Sequence, residues 1–384
     1  MNNMENFNPV KERFRVHSLI NEGGCEQGMD TEITLPEYFP DIVKILKCYV
    51  TPVIGSHSAE GERVSADGMI TVKIVYAGEE NRLYSYDTGN PFSCFCDIGS
   101  VNEESIVFPK ASVQSVSCRA VSQRKFELHT TVKINFKAYK TLDTEVVTGV
   151  EGCGAEEKTA LVSVKNSVKM IEKNISLVES VDIDDGKPSV SRLIKTHGAA
   201  VINEVKIIPN KMMVKGEVMA KSVYCGDESP GGFFIQPNSM PFNEIIEVQG
   251  LKETDNCDIA IRTVNIETAV KSKLNGDMRT LDHNIKMTFH INAEEVRELN
   301  CVTDAYSTEY DMNLERTAVD TVKSSENLFE NFIAKGSVGM SDTAISGVSD
   351  VTCVECTKNV SVSDGCLFIR GKIYADIIYT SGDG

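Results

Sequence analysis

Around Gly68, Gly216 and Gly371 the chain alternates apolar and polar residues with a period of two. The apolar set is Val64, Ala66, Ile70, Val72, Ile74 and Tyr76 in the first stretch and Met212, Val214, Val218, Ala220 and Tyr224 in the second. In the third it is Leu367, Ile369, Ile373, Ala375, Ile377 and Tyr379. The intervening positions carry residues such as Lys73, Lys215, Glu217, Arg370, Lys372 and Asp376. This alternation predicts half-buried strands and excludes helices there. A glycine in mid-strand marks a bulge or a close backbone approach. Each glycine is followed eight positions later by a tyrosine, so the unit is repeated, and repetition decides the architecture.

Other markers recur. Val132–Tyr139 corresponds to Ile285–Asn292 at an offset of 153, and both predict late antiparallel strands. Glu157–Lys165 returns as Glu315–Lys323, 158 residues on, and the pair Pro91-Phe92 returns as Pro241-Phe242. Short helices are expected at Pro40–Leu46 and Pro188–Ile194. Asp41 and Ser189 are good N-caps there, and Ile42, Ile45, Leu46 and Val190, Leu193, Ile194 fall at i, i+3, i+4. Thr343–Val348 is a degenerate third version. The expectation is an all-β fold of tandem antiparallel sandwich-like modules with one short helix each. The modules run over residues 10–152 and 156–310, with a partial one at 314–384. The partial module has the central strand but no Pro-Phe pair and no late strands. Its residues Leu367, Ile369, Ile373, Ile377 and Tyr379 are therefore expected to form an assembly strand, since an open edge recruits other strands.

The stretch LPEYFPDIVKIL from Leu35 to Leu46, the strand from Asp67-Gly68 to Val75-Tyr76 and the segment Asn90–Ser93 together resemble the SPOCS domain. The resemblance extends more loosely over the second copy and partially over the third. It implies a place among the envelope and morphogenetic proteins of endospore-forming bacteria, with a structural role in a coat, exosporium or surface appendage. It brings no catalytic residue. The implied partners are further copies of the chain, as a homo-oligomer or polymer, and other spore-envelope proteins.

A formal net charge of −17 repels phosphate backbones and anionic lipid headgroups, so neither nucleic acid nor a membrane is an expected partner. No apolar run is long enough to span a bilayer. Met1–Pro9 lacks the basic and apolar regions of a secretory signal. Synthesis in the mother-cell cytoplasm and deposition on the endospore surface are expected.

Twelve cysteines change the picture. Cys353 and Cys356, three apart on a strand, point to opposite faces, and no histidine completes a tetrahedron with Cys94 and Cys96. No metal site is expected. His17, His57, His129, His197, His283 and His290 occupy no triad context, and neither a Gly-x-Ser-x-Gly elbow nor a phosphate loop is present. The acidic pairs Glu103-Glu104, Glu156-Glu157 and Asp184-Asp185 are adjacent in polar segments and are expected to be solvated. No catalytic residue, cofactor or enzymatic activity is therefore expected. Cys48, Cys118 and Cys257 are expected as buried thiols. Cys25, Cys153, Cys225, Cys301 and Cys366 fall where side chains should be exposed and are candidates for intermolecular disulfides, formed after transfer from a reducing to an oxidising compartment. The resulting expectation is a self-assembling structural protein of the spore surface. A morphogenetic adaptor recruiting coat or cortex proteins is the alternative, and a carbohydrate-binding or hydrolytic β-protein a more distant one.

Overall fold

The computed structural model describes residues 7–152, 154–227, 233–273, 276–316, 335–337, 339 and 344–381. In the first sandwich the strands are β1 (Asn8–Thr34), β2 (Lys44–Glu60), β3 (Arg63–Ala77), β4 (Leu83–Asp97), β5 (Ile106–Ser122) and β6 (Lys125–Glu151). Strands β2, β3 and β4 form one antiparallel meander, and the other sheet has the order β1-β6-β5. The second sandwich repeats this plan with β7 (Ala155–Asp182), β8 (Val190–Ile208), β9 (Lys211–Gly226), β10 (Phe233–Glu247), β11 (Asn256–Ser272) and β12 (Met278–Ser307). Its sheets are β10-β9-β8 and β11-β12-β7. A third unit is the two-stranded hairpin of β13 (Ile345–Ser363) and β14 (Cys366–Ser381).

The period-two pattern buries one face of each central strand. Val64, Ala66, Ile70, Val72 and Ile74 of β3 meet Phe126, Leu128, Val132, Ile134 and Phe136 of β6 in one continuous core. Met212, Val214 and Val218 of β9 meet Ile285, Met287, Phe289 and Ile291 of β12 in another. Each of these side chains larger than alanine contributes about 1.5–3 kcal/mol on leaving water.

The repeated markers explain one another. The register places Gly68 opposite Phe92 and Gly216 opposite Phe242. A Cβ on Gly68 would fall 2.6 Å from Phe92 Cε1, and one on Gly216 2.8 Å from Phe242 Cε1, with the carbonyls of Val53 and Val201 closer still. The Pro-Phe ring thus lies over the glycine, and a bulge in the neighbouring strand, Ile54/Ser56 or Ile202/Glu204, sits beside it. Eight residues on, Tyr76 donates its hydroxyl to the Pro40 carbonyl at 3.1 Å and Tyr224 to that of Pro188 at 3.2 Å.

Two expectations are corrected. No short helix forms at Pro40–Leu46 or Pro188–Ile194; these segments lead directly into β2 and β8. Arginine guanidinium groups take up the loop carbonyls instead. Arg124 donates to Pro36 and Phe39 and pairs with Asp41, while Arg279 donates to Lys187 and Asp184. Among the described residues the helical content is one 3₁₀ turn, Glu79–Asn81. In the degenerate third version, Ile345–Val348 is strand, and Thr343 lies outside the described residues. The late strands, secondly, align at an offset of 155. Leu35 bonds the carbonyl of Arg124 as Ile183 bonds that of Arg279, and the bulge at Leu19/Asn21 recurs beyond Ser167 against the same strand.

Candidate functional site at the module junction

The two sandwiches meet through the same strand positions. Val75, Ala77 and Leu83 of the first pack on Ile194, Val223 and Cys225 of the second, with Tyr49 and Phe233 at the margin. Val75 and Val223 are repeat equivalents, as are Ala77 and Cys225, each pair 148 residues apart. The contact is therefore close to isologous. At its rim Arg192 lies over the Tyr84 ring, 3.8 Å from the centroid, and donates to the Leu83 carbonyl at 2.6 Å. Ser85 Oγ donates to the Leu193 carbonyl at 3.1 Å.

The β13–β14 hairpin docks beside this contact on two equivalent lysines. Bulges at Ile45/Lys47 in β2 and Leu193/Lys195 in β8 set Lys47 and Lys195 in matching positions. Lys47 pairs with Asp376 of β14 at 2.5 Å, half-exposed. Lys195 pairs with Asp350 of β13, and there both side chains are buried. Lys195 Nζ also donates to Thr352 Oγ1 at 2.6 Å and to the Tyr49 hydroxyl at 3.1 Å, and Thr352 Oγ1 donates to Asp350 Oδ2 at 2.8 Å. Three units of the chain thus converge on one buried charge cluster. Burial opposes ionisation of Asp350, yet the hydrogen bonds from Lys195 and Thr352 outweigh it and hold its carboxyl below the usual range. Burial, followed by the Asp350 charge, pushes the Tyr49 phenol up to about 12. Neighbouring His197 is held below its ordinary value by burial and then by Lys195, and its Nδ1 has no hydrogen-bond partner.

On the assembly strand, Leu367 is 52% exposed, Ile369 51%, Ile373 60% and Ile377 44%. These positions match Val64, Ala66, Ile70 and Ile74, which are fully buried in the first sandwich. The pattern that predicts an inward face is present, but no second sheet covers it among the described residues, and only one edge of β14 is paired there.

The candidate cysteines divide. Cys366 is exposed at the tip of the hairpin, next to an Asp364-Gly365 turn whose φ values are 52° and 73°. Cys301 is half-buried, and burial raises its thiol. Cys153 lies outside the described residues. Cys225 corrects its expectation of exposure, since β9 continues through it and the first sandwich covers it. Cys25 is half-buried against the core beside Cys94. Cys48, Cys118 and Cys257 are half-buried as well. Among the described residues no three histidine, cysteine or acidic side chains converge as a metal site, and no helix is long and apolar enough to cross a membrane. The Lys195 cluster escaped sequence reading, although a lysine at position 47 and another 148 residues on was a visible signal.

The family model for the SipL, SPOCS domain matches the chain twice, over residues 41–121 and 189–271. These stretches run from the entrance of β2 to the end of β5 and from the entrance of β8 to the end of β11. No curated protein and no solved structure matches the chain.

Proposed function

From the premise that this chain belongs to the SPOCS-domain family through two copies of the domain, and is thereby a sporulation-related protein, we propose that it is a self-assembling structural component of the endospore surface. The observation that carries this reading is the apolar face of the β13–β14 hairpin, left exposed among the described residues, whose positions are sealed in both sandwiches. A neighbouring copy adds a strand along the edge of β14 that no described strand pairs, as β4 does along β3 and β10 along β9, and lays apolar side chains over Leu367, Ile369, Ile373 and Ile377. Such a contact joins two different surfaces, so it propagates when it does not close into a ring. Cys366 stands at the hairpin tip, where an oxidising exterior links neighbouring copies, with Cys301 and Cys153 as further crossing points. The chain is made in the mother-cell cytoplasm and deposited on the spore, and no catalysis forms part of this role.

Negative-stain electron microscopy and sedimentation of the full chain and of a chain lacking residues 345–381, each with and without reductant, test the reading. The full chain is expected to polymerise and the shortened one to remain folded and dispersed. Unchanged polymers from the shortened chain defeat it. A persistent monomer that binds purified coat proteins transfers the role to an adaptor, and turnover of a glycan transfers it to an enzyme.

A further inference from the structure

Four cysteines of the first sandwich lie on its four outer strands, two on each sheet. Directly paired residues of antiparallel strands point to the same face. Cys25 is paired with Ile134, Cys118 with Leu128, Cys94 with Ala66 and Cys48 with Ile74. All four partners are fully buried, so all four thiols project into the space between the sheets. Strands β1 and β5 are the edges of one sheet, and β4 and β2 those of the other. Cys25 therefore opposes Cys94 along one side of the sandwich, and Cys48 opposes Cys118 along the other. At the first side Cys96 Sγ donates to the Gly24 carbonyl at 3.5 Å, which brings β4 against β1. Within both pairs the opposing thiols lie close enough for each to perturb the ionisation of the other.

The second sandwich supplies an internal comparison. By the 148-residue offset of β1/β7 and β2/β8 and the 150-residue offset of β4/β10 and β5/β11, the same positions hold Lys173, Glu244, Thr196 and Thr268. Each pair is thus present as two cysteines or replaced at both positions. A lone buried thiol packing as a small hydrophobe has no reason to follow a partner on the opposite sheet.

We propose that Cys25 with Cys94, and Cys48 with Cys118, are two oxidation sites at which the first sandwich is stapled sheet to sheet when the chain meets a disulfide-bearing, oxidising environment. An inter-sheet disulfide is an established solution in sandwich folds. A thiolate of one pair attacks a small-molecule disulfide such as oxidised glutathione, forming a mixed disulfide and expelling one glutathione thiolate. The partner thiolate then attacks the protein sulfur of that mixed disulfide and expels the second glutathione. Two protein thiols lose two electrons and two protons, and one small-molecule disulfide becomes two thiols. Either thiol of a pair can serve as the first attacker, and the two bonds form independently of each other.

This inference is independent of assembly. The reduced, folded full chain is incubated with oxidised glutathione, quenched by alkylation at intervals, digested without reductant and mapped by mass spectrometry. The expected result is one peptide joining Cys48 to Cys118 and another joining Cys25 to Cys94. The thermal transition of the first sandwich should rise by on the order of 10 °C, reversed by dithiothreitol. In Cys118→Ser the first cross-link is absent, Cys48 remains alkylatable and the second cross-link still forms. The inference is overturned if the four thiols stay alkylatable under conditions that modify Cys366, or if they are found only in bonds between chains. Polymers that persist in either case leave the assembly reading untouched.

Discussion

Lys195 of the second sandwich and Asp350 of the hairpin form an ion pair in which the side chains are 4% and 1% exposed. Removing one partner strands the other as a buried charge. Lys195→Met is expected to weaken hairpin docking by about 3–5 kcal/mol. The readout is faster hydrogen exchange and proteolysis over residues 345–381 with both sandwiches still protected. Adding Asp350→Asn should restore part of the loss, because the second substitution removes the stranded charge. Unchanged protection in the single variant would show that the pair does not hold the hairpin.

Repeat-equivalent substitutions should have opposite consequences in the first sandwich and the hairpin. Ile74→Asp places a carboxylate in a closed core and is expected to destabilise the first sandwich by several kcal/mol, on the order of 3–5. Ile377→Asp, at the equivalent position and 44% exposed, should alter the melting of the monomer little while reducing assembly. Thermal melts and sedimentation of the two variants separate folding from association.

The glycine under each Pro-Phe ring admits no methyl group without movement of the ring and of a backbone carbonyl. Gly68→Ala and Gly216→Ala are each expected to destabilise their sandwich by about 1–3 kcal/mol. Gly28→Ala, where nothing lies within 4 Å of the added carbon, should be neutral or slightly stabilising. Chemical denaturation of the three variants checks the contrast.

The pH dependence follows from burial of imidazoles. His17, His197, His283 and His290 all have folded values below the ordinary 6.5, with burial as the leading cause. Their unfolded forms bind protons first on acidification, so stability should decline as pH falls below about 6.5. His129 acts in the opposite sense, raised chiefly by its hydrogen bond with Asp30, but it is an exposed surface group. Asp350, held below 3.8, adds stability above that pH which is lost as the pH falls further through its folded value. Thermal melts across pH 7.5 to 3 should show a gradual decline followed by release of the hairpin, and a flat profile between 7.5 and 5.5 would contradict the buried, neutral histidines.

The inward set of β3 and β9 was legible because strict alternation has one structural solution. The expected helices were not, and the bulges explain why. The inserted residue at Val190/Arg192 lets Val190 and Leu193, three apart, face the same side and imitate a helical spacing. A shift of two residues preserves every inward and outward assignment, so the pattern could not separate an offset of 153 from 155; the Arg124 and Arg279 bonds do. The burial of Cys225 and the Lys195 cluster depend on contacts between units, to which local periodicity is blind.

The first and last strands of each sandwich have a consequence for how such chains grow. Asn8 is paired with Glu151, and Ala155 with Ser307. A sandwich therefore begins and ends at the same place, and its whole interior can be copied or excised through a joint a few residues wide without re-routing the strands that remain. Lengthening or shortening the array becomes a matter of joining ends that already lie side by side.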